Sequence, residues 1–176
     1  MAFVFQNLRL PGLILIESQH HEDMRGMFVE LYKDSAFFQA GISERFVQEN
    51  YSFSHKHVIR GLHYQTGQYA QGKLVRCVQG EILDVAADVR PESPTFGIWE
   101  SITLSDQNLN QLYIPPFYAH GFCVISDEAS VVYLCTKEYD PATEQGVRWD
   151  DPRLNILWPT QKPIVSKRDQ QFSFLT

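Results

Sequence analysis

The 176-residue chain reads as a mainly β fold in which two sheets face each other across a pocket. Short apolar or alternating stretches recur about every ten residues, the spacing of a sandwich or barrel. Turn chemistry separates many of them, at Gln79-Gly80-Glu81, Arg90-Pro91-Glu92-Ser93-Pro94, Pro115-Pro116 and Ser126-Asp127-Glu128. Helical signals are few and short.

In chain order, the alternation predicts strands at Leu13–Ile16, Met27–Tyr32, Phe46–Ser54, Val58–Gln65, Lys73–Gln79, Glu81–Val89, Gly97–Leu104, Gln111–Ile114, Gly121–Ile125 and Ser130–Lys137. Between the second and third, Asp34 or Ser35 is placed to cap a short helix through Phe37 and Phe38, with Gly41 as its stop. A further helical turn is expected after Ser105. The tail from Asp150 to Ser166 holds three prolines and is expected to run irregularly over the surface. No repeat, linker or low-complexity segment divides residues 1–176, which read as one domain large enough to bury a core without staples.

Composition removes several function classes. No apolar run approaches a membrane span, and residues 1–10 lack a basic stretch followed by an apolar one. The net charge of −6 argues against nucleic acid as a partner. Cys77, Cys123 and Cys135 lie in apolar strand-like segments without CxxC spacing, and read as buried reduced thiols of a cytoplasmic protein.

The chemistry concentrates in Val58-Ile59-Arg60-Gly61-Leu62-His63-Tyr64-Gln65 and Gln71-Gly72-Lys73-Leu74-Val75-Arg76. A neutral imidazole can take a proton near neutral pH, and a nearby ammonium can hold the negative charge left behind. That pairing suits proton abstraction beside a carbonyl. The bland reading makes His63 a satisfied core histidine and the cations surface residues. Strand parity places Lys73, Val75 and Cys77 on one face, and it puts Arg60 and His63 on opposite faces unless Gly61 makes a bulge.

A second histidine, His120, opens an apolar strand after Pro115-Pro116, and Tyr133 shares a face with Val131 and Cys135. Such a tyrosine is commonly a core residue, yet its phenol is a competent acid toward an enolate. His63 and His120 with no matching carboxylate make too thin a ligand set for a metal, and His55-Lys56-His57 reads as a solvated loop.

The ordered motifs Asp23-Met24-Arg25-Gly26-Met27-Phe28-Val29-Glu30, Gln48-Glu49-Asn50-Tyr51-Ser52, the two segments quoted above, Gly80-Glu81-Ile82-Leu83-Asp84-Val85-Ala86, Ser93-Pro94-Thr95-Phe96-Gly97, Ala119-His120-Gly121-Phe122 and Trp149-Asp150-Asp151-Pro152 run over nearly the whole chain. Together they resemble the dTDP-4-dehydrorhamnose 3,5-epimerases of deoxysugar biosynthesis. The resemblance implies a cupin-like double-stranded β-helix (jelly-roll) barrel and a dTDP-linked 4-keto-6-deoxy-sugar as substrate. It implies His63 as general base oriented by Asp169, Lys73 on the enolate oxygen at C4, and Tyr133 as proton donor from the opposite face. No redox cofactor or metal is required by that route.

For the nucleotide, the resemblance maps Arg25, Arg60 and His120 to the diphosphate and Gln48 and Asn50 to the nucleotide side. Glu30, Glu144 and Arg168 fall at further ligand positions, and Phe28 and Tyr139 suit stacking on the base. It also implies a homodimer in which the N-terminal strands cross to the second chain. Two departures stand out. The family usually has Gly-Phe-Ala-His where this chain has Phe117-Tyr118-Ala119-His120, and Lys-Asp where it has Arg168-Asp169. Rival readings are a single-centre relative, a non-catalytic nucleotide-sugar-binding cupin, and a metal-dependent cupin enzyme.

Overall fold

The computed structural model describes residues 2–176. Its strands are β1 (Phe3–Asn7), β2 (Ile14–Ser18), β3 (His20–Asp23), β4 (Gly26–Val29), β5 (Gln48–His55), β6 (Val58–Gln65), β7 (Lys73–Gln79), β8 (Glu81–Asp88), β9 (Trp99–Ser105), β10 (Gln111–Ile114), β11 (Tyr118–Val124), β12 (Glu128–Cys135), β13 (Glu144–Gly146) and β14 (Ile164–Val165), with helix α1 at Asp34–Gln39. One sheet has six strands in the order β1-β2-β10-β7-β12-β5. The other runs β13-β6-β11-β8-β9, with β14 added alongside β6. Strands β3 and β4 form a separate two-stranded hairpin.

Alternation decides what each face meets. Val75 and Cys77 of β7, Leu112 and Ile114 of β10 and Val131 of β12 point inward. They meet Ile82 and Ala86 of β8, Leu104 of β9 and Phe122 and Val124 of β11 in one cluster between the sheets. Outside the first sheet, Ile14, Ile16, Leu74 and Tyr113 are covered by Phe3, Phe37 of α1 and Ile42. Outside the second, Leu62, Val85, Ala87 and Ala119 are covered by Val147 and Leu154, with Ile156, Trp158 and Leu175 packed alongside.

The expected strands are all present, with ends shifted by a few residues. Three expectations are corrected, and four strands are added. Helix α1 starts at Asp34 after an extended Lys33, which offers no side-chain cap, so neither Asp34 nor Ser35 is the cap. Phe37 anchors this helix by burial instead. The segment after Ser105 is a turn closed by Asn108, whose Oδ1 accepts the Ser105 N–H at 3.1 Å, and not a helix. The proline-bearing tail is not merely superficial: its apolar side chains cover the second sheet, and Ile164–Val165 pairs in parallel with β6. Finally, β1, the β3 strand, β13 and β14 are too short or too polar to stand out in the pattern.

One strand inverts the usual polarity. Along β5, Gln48, Asn50, Ser52 and Ser54 point inward, while Glu49, Tyr51, Phe53 and His55 point out to solvent. A polar inner face beside an apolar core means the space in front of it is a polar-lined cavity.

Candidate active site

That cavity, about 730 Å³, opens between the sheets beyond the apolar cluster. Its walls carry Gln48, Asn50, Arg60, His63, Lys73, His120, Tyr133, Tyr139, Glu144, Arg168 and Asp169. All are sequence-predicted site residues. Arg25, Phe28 and Glu30 are elsewhere, on and just beyond the β3–β4 hairpin. Arg25 pairs with Asp23 at its tip and Phe28 is 71% exposed.

The convergence of Arg60 and His63 is produced by a bulge. His63 is opposite His120 and Arg60 opposite Phe122, so Gly61 and Leu62 together face Gly121. Gly61 has φ +125°, and a Cβ there would be 2.5 Å from the Gly121 Cα. A Cβ on Gly121 would in turn lie 2.7 Å from the Arg60 carbonyl oxygen. Only paired glycines let the strands approach while both side chains turn into the cavity.

His63 Nε2 lies 2.9 Å from Asp169 Oδ1, and the Gly61 N–H donates to Asp169 Oδ2 at 3.1 Å. Burial pushes the Asp169 carboxyl up, but the hydrogen bonds from His63 and Gly61 and the charge at His63 outweigh it and hold the group at about 2. An ionised carboxylate only accepts, so the Nε2 proton belongs to the histidine and Nδ1 keeps the free lone pair. Arg168 Nη2, 3.4 Å from Nε2, is then a neighbouring charge and not a hydrogen-bond donor to it. The Phe172 ring meets the imidazole edge-on at 5.5 Å, fixing its plane.

Lys73, on the inner face of β7, donates to the His63 carbonyl oxygen at 3.4 Å. Burial pushes its ammonium down, and the charges of Cys135, Asp84 and Glu144 push back. Tyr133 stands on the first sheet, across the cavity from His63 on the second. Burial raises its phenol, with Cys135 adding to that, so it stays protonated at neutral pH. His120 Nε2 donates to Asp84 Oδ1 at 2.8 Å, and burial pushes its imidazole down against that partner.

At the mouth, Arg168 Nη1 and the Tyr139 hydroxyl both reach Glu144 Oε2 at 2.8 Å. Gln48 Oε1 accepts the Tyr139 N–H at 2.7 Å, while its Nε2 donates to Asn50 Oδ1 at 2.9 Å. Arg60 is held over Ser54 Oγ at 2.9 Å. The arrangement is a basic, hydrogen-bonding channel leading to a carboxylate-paired histidine on one wall and a protonated tyrosine on the other. Among the described residues, no three His, Cys, Asp or Glu side chains group to hold a metal ion.

The family model for dTDP-4-dehydrorhamnose 3,5-epimerase matches residues 7–176. The chain belongs to this family. It is 49% identical over 161 residues to the dTDP-4-dehydrorhamnose 3,5-epimerase of Shigella flexneri, covering 91% of this chain and 89% of the relative. It superposes with TM-score 0.94 and 42% identity on the crystal structure of the Legionella pneumophila Philadelphia 1 dTDP-6-deoxy-D-glucose-3,5-epimerase in complex with dTDP-4-keto-L-rhamnose, covering 98% of this chain and 93% of that one. It is also 43% identical to the dTDP-4-dehydrorhamnose 3-epimerase of Streptomyces niveus, over 93% of this chain and 79% of the relative. The cupin-like epimerase fold and the isomerase class therefore hold for this chain.

Sequence reasoning missed Asp84, which is wholly buried beneath His120. Its signal was a carboxylate at an inward strand position between Ile82 and Ala86. It also missed Ser166, because the tail up to that residue was read as surface, and Phe172 beyond it. Phe117, flagged as a bulky departure, does not line the cavity and is 44% exposed.

Proposed function

We propose that this chain inverts C3 and C5 of dTDP-4-dehydro-6-deoxy-D-glucose to give dTDP-4-dehydro-L-rhamnose. The observation that carries the reading is the opposed pair: His63 backed by Asp169 on one sheet, and Tyr133 with Lys73 on the other. The C4 ketone acidifies both neighbouring carbons. His63 takes the proton from one of them, and the electron pair moves onto the C4 oxygen. Lys73 stabilises that enolate from a buried position, where one charge weighs more than in bulk water. Tyr133 then gives a proton to the opposite face, and the centre inverts. The same groups act at the second carbon.

Arg60 and His120 hold the diphosphate, Gln48 and Asn50 the nucleoside, and Tyr139 stacks on the base, with Glu144 and Arg168 closing the mouth. Arg25, Phe28 and Glu30 serve the neighbouring subunit of a homodimer, reached by exchange of the β3–β4 hairpin. The solvent-facing Met24, Met27 and Phe28 of that hairpin and Tyr51 and Phe53 of β5 support an apolar interface. Residues 1–176 act as one domain, and the buried free thiols suit the cytoplasm.

The second reading is inversion at C3 alone, favoured by the 43% identity to a 3-epimerase. Product analysis by NMR decides. The rhamno-configured sugar from dTDP-4-dehydro-6-deoxy-D-glucose supports double inversion, and a product inverted only at C3 establishes the single-centre reading.

A further inference from the structure

The loop between β12 and β13 has no strand beside it to satisfy its backbone, and glutamine side chains do so instead. Gln71 Nε2 donates to the Lys137 carbonyl at 2.9 Å. Gln65, the buried last residue of β6, grips the next stretch at two points. Its Nε2 donates to the Glu138 carbonyl at 3.4 Å and to the Tyr69 carbonyl at 3.2 Å, while its Oε1 accepts the Asp140 N–H at 2.8 Å. From the other sheet, Gln48 Oε1 accepts the Tyr139 N–H at 2.7 Å. Residues 137–140 are therefore each held through the backbone by a side-chain amide. The ring they present at the cavity mouth, Tyr139, is tied at its far end by the hydroxyl's bond to Glu144 Oε2.

We propose that Gln65 is a positioning residue that sets Tyr139 as the platform for the nucleotide base. The inference rests on the epimerase reading, which puts Tyr139 against the base, and deepens it by naming what holds the loop. Gln65 takes the carbonyl before Tyr139 and the N–H after it, as a neighbouring strand would. Gln48 does not suffice alone, because it holds one N–H of the loop and its other end is engaged with Asn50. The amide of Gln65 is spent on the protein backbone at both ends, so it acts through Tyr139 and not on the ligand. A loop ordered in advance spares the base the entropy of ordering it.

The test compares dTDP with inorganic pyrophosphate, which can meet the diphosphate groups but carries no base. Gln65→Met keeps the length of the side chain and removes its hydrogen bonds. Calorimetric titration should show dTDP bound about tenfold more weakly by this variant, and pyrophosphate bound within about twofold of wild type. KM for the dTDP-sugar should rise by a similar factor, with kcat within about twofold. In a Tyr139→Ala background, Gln65→Met should cost no further dTDP affinity, because the two changes remove one contact. Unchanged dTDP binding, equal weakening of dTDP and pyrophosphate, or a further loss in the Tyr139→Ala background overturns the proposal. Should Gln65→Met fail to fold, Gln65→Glu keeps the acceptor for the Asp140 N–H and sets an oxygen against the two carbonyls. A loss of dTDP affinity that spares pyrophosphate then supports the proposal, and any other result overturns it. Wild-type protein that binds dTDP without turning over the 4-keto-sugar overturns the epimerase reading instead.

Discussion

Asp169 carries two jobs at the residue scale: it fixes the His63 tautomer and it stores stability. Its folded value of about 2 lies below the ordinary 3.8, so the stabilisation is fully present above about pH 4 and is lost as pH falls through 2. The size is about 2 kcal/mol, and Asp169→Asn should flatten the acid limb of a stability–pH curve measured by denaturant melts. The same change frees the imidazole to adopt the wrong tautomer, and kcat should fall about 10²- to 10⁴-fold. Tyr133→Phe removes the acid and leaves the cavity shape. Binding of dTDP, measured by calorimetry, should stay within about twofold, while turnover falls about 10²-fold or inversion stops at one carbon. Weakened binding with normal turnover would remove Tyr133 from the acid role.

Elements explain what reading the chain could and could not reach. Strands β6, β7 and β10 were legible with their bounds because each is a compact strand-forming run that ends at turn chemistry. The face-sharing of Lys73, Val75 and Cys77 followed from parity alone. Arg60 and His63 obeyed parity only through a bulge that no single strand encodes, since it needs Gly61 and Gly121 at matching heights. The hairpin β3–β4 was half-seen because its four-residue strands are wholly or mostly exposed and have no buried period to read.

The turn before β11 accounts for the Phe117 departure: Phe117 has φ 69°, where the family usually has glycine. Phe117→Gly should relieve left-handed strain of about 1 kcal/mol and raise Tm by about 2–4 °C, with kcat unchanged. Gly146 offers the opposite case. A Cβ there lies 2.5 Å from the Phe172 ring that abuts His63, so Gly146→Ala should displace the imidazole and lower kcat about 10²-fold.

At the scale of the whole molecule, the sandwich is half core and half cavity. One end is sealed by apolar side chains from both sheets, and the other is lined by the polar inner face of β5 and the histidine-bearing strands. The tail that covers the second sheet also returns Arg168 and Asp169 to the cavity, which ties catalysis to folding of the last residues. The proposed ligand positions outside this cavity lie on and just beyond the hairpin, so Arg25→Ala should weaken dTDP binding about tenfold only if chains pair. Sedimentation equilibrium should then give twice the 20.4 kDa chain mass.

Opposed proton transfer is tested most directly by NMR of dTDP-4-dehydro-6-deoxy-D-glucose incubated with the protein in heavy water. The account predicts deuterium at both C3 and C5 of a rhamno-configured product, because each proton removed by His63 is replaced from solvent through Tyr133. No deuterium at either carbon, from folded protein that binds dTDP, would contradict it.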